Sequence, residues 1–428
     1  MKLNYKRTIL IGMAFMSISA FWQMYDNVVP LILSNSFELD ETITGAIMAA
    51  DNLLALFLLP IFGSLSDKVK TPWGKRMPFI VVGTTLAVIL LMILPFADNT
   101  RNLALFIGGL FLVLISMGTY RSPAVALMPD LTPKNLRSRA NAVINLMGAV
   151  GGVYTLIMIK FMVGKDATPN YYPLAMSVAV FMVVCVSLLF FTINENKLHV
   201  ELKDELEEEV VEVKVEDNTK KGTKLPKDVM RSLVFLLASV AFWFIAYNAV
   251  TTAFSRYAIK VWGLQGGDYA NCLMVATVAA IISYIPIGSI AAKLGRKKTI
   301  LIGIILLGSC FFAASLFNTY SNIMPVFFCI IGFAWAAIGV NSYPMVVEMA
   351  SAGDVGKYTG LYYTFSMTAQ VITPILSGWL LENVGYRTLF PYSVIFCVLA
   401  FITMSQVKHG DSRPEKKANA LDNLDIDD

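Results

Sequence analysis

Charge is scarce in this chain. Only 15% of its 428 residues are Asp, Glu, Lys or Arg, against about 25% in soluble domains. That shortage excludes an ordinary water-soluble fold. Histidine is scarcer still, with 2 copies, His199 and His409, both in polar segments. The usual proton-handling group of hydrolases and acyltransferases is therefore missing from the apolar regions. The 5 cysteines, Cys185, Cys272, Cys310, Cys329 and Cys397, are scattered through apolar stretches, so neither a disulfide framework nor a metal site is expected. No G-x-x-x-x-G-K-[ST] loop occurs to cradle the phosphates of a nucleotide, which argues against an ATP-driven pump. Neither an enzyme nor a bound cofactor is expected.

What the chain has instead is apolar length. Hydrophobic residues make up 56% of it, gathered into about twelve runs of roughly 20 residues, each enough to cross the hydrocarbon of a bilayer as a helix. They lie near 8–34, 43–65, 78–97, 102–129, 139–163, 172–192, 230–258, 269–292, 298–317, 322–347, 357–381 and 388–407. The fold class that follows is an all-α membrane protein with twelve transmembrane helices. The first run is too long for a signal-peptide core and lacks a convincing cleavage site, so it is expected to remain. Basic residues cluster in alternate loops, around Lys6 and Arg7, Lys68 to Arg76, Lys134 to Arg139, Lys293 to Lys298, and the C-terminal tail. That asymmetry places both termini in the cytoplasm of a cell whose plasma membrane holds the protein. The net charge of +4 is accounted for by these loops, and no nucleic-acid partner is implied. A monomer in the bilayer is the expectation.

The chain divides into an N-terminal half (1–193), a charged connector (194–228), a second half (229–407) and a polar tail (408–428). The connector ENKLHVELKDELEEEVVEVKVEDNTKKGTK (195–224) mixes charges with little apolar surface and reads as solvated and partly helical at best. The halves repeat weakly. A shift of 221 residues lays FWQMYDNVV (21–29) on FWFIAYNAV (242–250) and GTYRSP (118–123) on GVNSYP (339–344). PIFGSLSDK (60–68) also resembles PIGSIAAK (286–293). Such repeats imply two six-helix halves with a site where they meet.

The loop GSLSDKVKTPWGKRMPF (63–79) resembles the signature of the major facilitator superfamily. Its ending WGKRMPF, with WQMYDNVVP, RSPAVALMPDLTP (121–133), RSRANAV (137–143), FWFIAYNAV and NSYPMVV (341–347), is similar to the glycoside–pentoside–hexuronide symporters and the related proton-coupled sucrose-transporter branch. The resemblance implies a secondary transporter working by alternating access, with the proton as coupling ion and a small neutral sugar as solute. It also implies a gate in the loops, formed by Asp67, Gly74, Lys75 and Arg76, which Asp130 and Arg139 are expected to join. Sodium-using members of the superfamily place paired carboxylates just before the P-x-x-G of the second helix. Here those places hold Ala55 and Leu59, ahead of Pro60 and Gly63, which favours protons.

Three charges lie well inside apolar runs: Asp26, Asp51 and Arg121. A carboxylate at that depth costs about 2.5–3.5 kcal/mol, so each is a functional candidate. At about 1.5 Å per residue, Asp26 and Asp51 lie at a similar depth, about 12 Å from the outer ends of their helices, and Arg121 up to about 15 Å deeper. Two carboxyls sharing one cavity oppose each other's ionisation, as proton loading and release require. Either one could be the principal carrier. Lys160 and Arg256 also fall within runs, but near their outer ends, where snorkelling to the interface is the simpler expectation.

The repeat pairs Asp26 with Tyr247, Asn27 with Asn248, Tyr120 with Asn341 and Arg121 with Ser342. Ionisable groups fall in the first half and neutral hydrogen-bonding groups in the second. That division suggests proton handling in one half and much of the solute reading in the other. Candidate solute contacts are Trp22, Tyr120, Asn145, Trp243, Tyr247, Asn248, Asn341 and Gln370, flat aromatic faces and amides of the kind sugars need. Gly148, Gly151 and Gly152 are expected to let helices approach closely. Two rivals stand beside sugar symport: proton-coupled export of drugs or amphiphiles, which the 21 methionines keep open, and an uncoupled sugar facilitator.

Overall fold

The computed structural model describes residues 3–166, 168–201, 226–349 and 355–411. Among them no strand forms, only a single bridge between Thr71 and Gly74. In chain order the helices are α1 (Tyr5–Leu31), α2 (Glu41–Lys68), α3 (Met77–Leu91), α4 (Ile93–Asn99), α5 (Leu103–Asp130), α6 (Lys134–Met162), α7 (Tyr172–Thr192) and α8 (Glu195–Glu201). After the connector come α9 (Lys227–Lys260), α10 (Ala270–Leu294), α11 (Arg296–Ser315), α12 (Met324–Met349), α13 (Val355–Asn383) and α14 (Leu389–Ser405). Ten described spans are long and apolar enough to cross a membrane, α3 and α4 counting as one, and α10 makes an eleventh if its two arms, bent by 56° ahead of Pro286, are one span. The remaining expected crossing coincides with α13, whose 29 residues include Lys357, Gln370 and Glu382.

Proline and the lack of competing water explain the local form of these helices. Pro30, Pro60, Pro123, Pro129, Pro286, Pro344 and Pro374 all sit inside helices, where each removes a backbone donor. Such breaks are tolerated in membrane helices because neighbouring groups re-satisfy the freed carbonyls. After Pro30 the first helix widens into a π-helical turn, Ile32–Ser36, before it ends. Large apolar side chains such as Phe161 and Phe191 stay exposed, as lipid-facing positions do.

The described residues gather into two compact units. The first holds the chain up to Asp40, Ala50 through α8, and Gln265–Asn271; the second holds Glu41–Ala49, Lys227–Leu264 and the chain from Cys272 on. Two short segments thus group with the opposite half of the sequence. In the first unit α1 packs along α6, and α3 along α5. The α1–α6 approach is set by glycine: a Cβ on Gly151 would overlap the Met16 carbonyl, and one on Gly148 would lie 2.9 Å from Ser19 Oγ. In the second unit α9 packs on α13 and α14, and α11 on α12 and α14. The expected solvated connector begins otherwise than predicted: Glu195 opens a helix and is buried. Residues 202–225 of the connector and 412–428 of the tail lie outside the described residues.

Candidate functional site

In the first unit, α1, α2 and α5 bring together the three charges singled out in the apolar runs. Tyr25, one residue before Asp26, is fully buried. Among the described residues Arg121 pairs with neither carboxylate within 4 Å. Its guanidinium instead stands 5.5 Å from the centre of the Trp22 ring, a cation–π geometry. Asp51 Oδ1 accepts a hydrogen bond of 2.9 Å from the Asn52 side chain. Trp22, Asp51 and Arg121, with Leu54, Leu58 and Gly118, line a narrow crevice with room for about one water molecule. Ala55 and Leu59, at the places of the sodium-site carboxylates, line it too. The crevice thus holds an acid and a cation, Asp51 and Arg121, with no ion pair within 4 Å between them.

The polar candidates divide. Tyr120 is buried, and its hydroxyl and that of Ser17 are 3.1 Å apart. Trp243 is 1% exposed and packs in the core of the second unit, so its ring offers no open face there. Asn341 is likewise buried and donates to the Ala337 carbonyl of its own helix at 2.8 Å. Those three expectations fall on groups whose surfaces the protein itself already covers. Asn145 and Gln370 are half-buried. Tyr247 is half-buried and stacks on Trp335, ring centres 3.8 Å apart and planes within 8°. Trp335 was not among the sequence candidates, and only its spacing on α12, two turns before Ser342, could have suggested it. Trp22 Nε1, Asn27 Oδ1 and Asn248 Nδ2 are buried polar atoms with no hydrogen-bond partner among the described residues. Such atoms are rare in native structures and call for an explanation.

The loop residues form one cluster. Arg76, buried at the start of α3, pairs with Asp67 and with Asp130 at 2.8 Å, and donates to the Gly63 carbonyl at 3.2 Å and to Ser66 Oγ. Lys75 Nζ stands 3.0 Å from the same Asp130 carboxylate. Gly74 has φ +114°, a left-handed conformation that favours glycine. Arg139 is half-buried on α6.

Arg256 corrects the expectation of snorkelling. It is 4% exposed, and its guanidinium lies 2.5 Å from Glu41 in the second unit. Glu41 also meets the Tyr386 hydroxyl and, at 3.5 Å, Lys260. Around it the backbone closes tightly: a Cβ on Gly45 would overlap the Pro374 carbonyl, and one on Gly378 the Glu41 carbonyl. Lys160, in the first unit, donates to Asn271 Oδ1 at 2.6 Å. A charge at the start of one span and another at the end of a distant one was the available signal, unread because nothing in the sequence pairs them.

Comparison with known proteins gives consistent results. A model of the family described as MFS/sugar transport protein matches residues 9–404. A sucrose transport protein of Arabidopsis thaliana is 31% identical over 120 residues, 24% of this chain and 20% of the relative. A lactose permease of Lactobacillus helveticus is 24% identical over 36% of this chain and 27% of that protein. The chain thus spans well under half the length of these sugar-carrying relatives. A multidrug resistance protein of Bacillus subtilis is 22% identical over 90% of this chain and 92% of its own. Among solved structures, the xylose transporter of E. coli superposes with a TM-score of 0.66 at 14% identity, covering 98% of each chain. At that identity the likeness speaks for the fold alone.

Proposed function

Since the chain belongs to the family of MFS/sugar transport proteins, we propose that it is a proton-coupled sugar symporter of the plasma membrane that works by alternating access, both termini in the cytoplasm. The observation that carries this reading is the trio of Asp26, Asp51 and Arg121, gathered in one unit with no ion pair within 4 Å among the described residues joining the arginine to either acid. A locked ion pair would suit a structural role, though such pairs stabilise poorly. Acids kept near a cation but not bound to it can take up a proton in one state and release it in another as the cation approaches. Arg121, held over Trp22, has a place to wait.

An orphan polar atom supports a hydroxyl-rich solute. Trp22 Nε1, on a residue that lines the crevice of the first unit, is buried without an acceptor in this state; a sugar entering as the crevice opens supplies one. The stacked Tyr247 and Trp335 present the flat aromatic surface on which sugar C–H faces pack. Asn145 and Gln370 are further contacts on this reading.

Uptake into vesicles with an imposed pH gradient, inside alkaline, tests it against a panel of labelled mono- and disaccharides and glucosides. Accumulation above equilibrium of at least one sugar, abolished by a protonophore, is the expected result. Equilibration without accumulation would mean a facilitator. The second reading, export of amphiphiles, has support in the multidrug relative and in the leucines of the crevice, Leu54, Leu58, Leu59 and Leu114. It would be favoured by gradient-driven efflux of a lipophilic cation with no sugar carried.

A further inference from the structure

Glu195 is the first charged residue of the connector and should, as a lone carboxylate beyond the end of a span, be in water. It is 1% exposed. Its two oxygens accept from three successive backbone N–H groups at the start of α3: Lys75 at 3.0 Å, Arg76 at 3.2 and 3.0 Å, and Met77 at 3.1 Å. The next residue continues the grip, with Asn196 Nδ2 donating to the carbonyls of Thr71 and Pro72, both at 3.0 Å. Trp73 of the same loop packs edge-on against Phe190 in the last turns of α7, ring centres 5.4 Å apart. The loop 71–77 is thereby seated on the end of α7 and the first residues of α8.

Charge explains why a carboxylate is tolerated there. Arg76 and Lys75 pair with Asp67 and Asp130, so Glu195 adds a negative charge that no side chain of that set meets. The N-terminus of α3, with about +0.5 of a charge and unsatisfied N–H donors, is what meets it. Glu195 touches no side chain of the ion-pair cluster in these contacts. It holds the backbone of Arg76, and the Arg76 side chain in turn joins the ends of α2, through Asp67, Ser66 and Gly63, and of α5, through Asp130. Gly74 gains a second reason to be glycine: a Cβ there would overlap the Glu195 carboxylate.

We propose that Glu195 is a positioning residue of the loop cluster, an anion at the root of the connector that sets Arg76 and through it ties α2 to α5. The connector is then an attached part of this cluster at its first charged residue. The claim rests on no particular solute or ion, so it stands apart from the sugar–proton reading.

Amide hydrogen exchange on the full-length protein in lipid nanodiscs tests it, read in segments 63–68, 75–77 and 128–131. Glu195→Gln should speed exchange in all three by about tenfold, the loss of charge-assisted hydrogen bonds being worth that much. In an Arg76→Gln background the same change should still speed 75–77 but add nothing in 63–68 and 128–131. A helix cap with a purely local role would loosen 75–77 alone, or loosen the distant segments equally whether or not Arg76 is present; either outcome overturns the proposal. If Glu195→Gln does not reach the membrane folded, Glu195→Asp, one methylene too short to span the three donors, is read by the same criteria.

Discussion

At the scale of single residues, the acids of α1 and α2 have two opposite characters. Glu41 is bound on all sides, by Arg256, Lys260 and Tyr386, whereas Asp26 and Asp51 keep Arg121 at a distance. Glu41 is therefore expected to serve stability and Asp51, on the proposed function, transport. Glu41→Gln leaves a buried guanidinium uncompensated and should cost about 3–5 kcal/mol, read as a lowered unfolding midpoint of the purified protein. Adding Arg256→Gln should recover part of that loss, since the orphaned charge is then gone; no recovery would mean that the pair is not what holds this corner. Asp51→Asn should leave the midpoint near that of the parent, abolish gradient-driven accumulation and retain exchange of labelled for unlabelled solute. Full uphill uptake by that variant would remove Asp51 from coupling.

At the scale of elements, the glycines of α6 decide how close α1 can lie. Gly151→Leu drives a side chain into the Met16 carbonyl and should cost about 1–3 kcal/mol by overpacking. Gly108 of α5 has nothing within 4 Å of its missing Cβ, so Gly108→Ala should instead gain about 0.5–1 kcal/mol from helix propensity. Opposite signs in the two unfolding midpoints are the expected result. Helices of this kind were legible in the sequence, because hydrocarbon demands long apolar runs and leaves little else to read. Gly148 and Gly151 were legible for a related reason, since small residues in a membrane helix have few other uses. The seven-residue helix α8 was not: its residues are those of a solvated segment, and only the N–H groups of a loop 120 residues earlier in the chain make Glu195 a buried anion.

At the scale of the molecule, the gathering of charges was read from rarity. Asp26, Asp51 and Arg121 stood out because ions in oil are expensive, and the fold brings them to one place. Aromatic and amide contacts had no such signal. Trp243 and Tyr247 lie four residues apart on one helix, yet the first is core and the second stacks half-exposed on Trp335; composition cannot tell those faces apart when lipid and interior are equally apolar. The repeat located equivalent positions, while the covering of Asn341 and Tyr120 depends on hydrogen bonds made within each unit. On the proposed function, a sugar and a proton move together through this family member. The most direct measurement is the external pH of a weakly buffered suspension of vesicles when the accumulated sugar of the uptake panel is added. The expected result is an alkaline shift that follows the sugar inward and vanishes in Asp51→Asn. Sugar entry with no movement of external pH would contradict it.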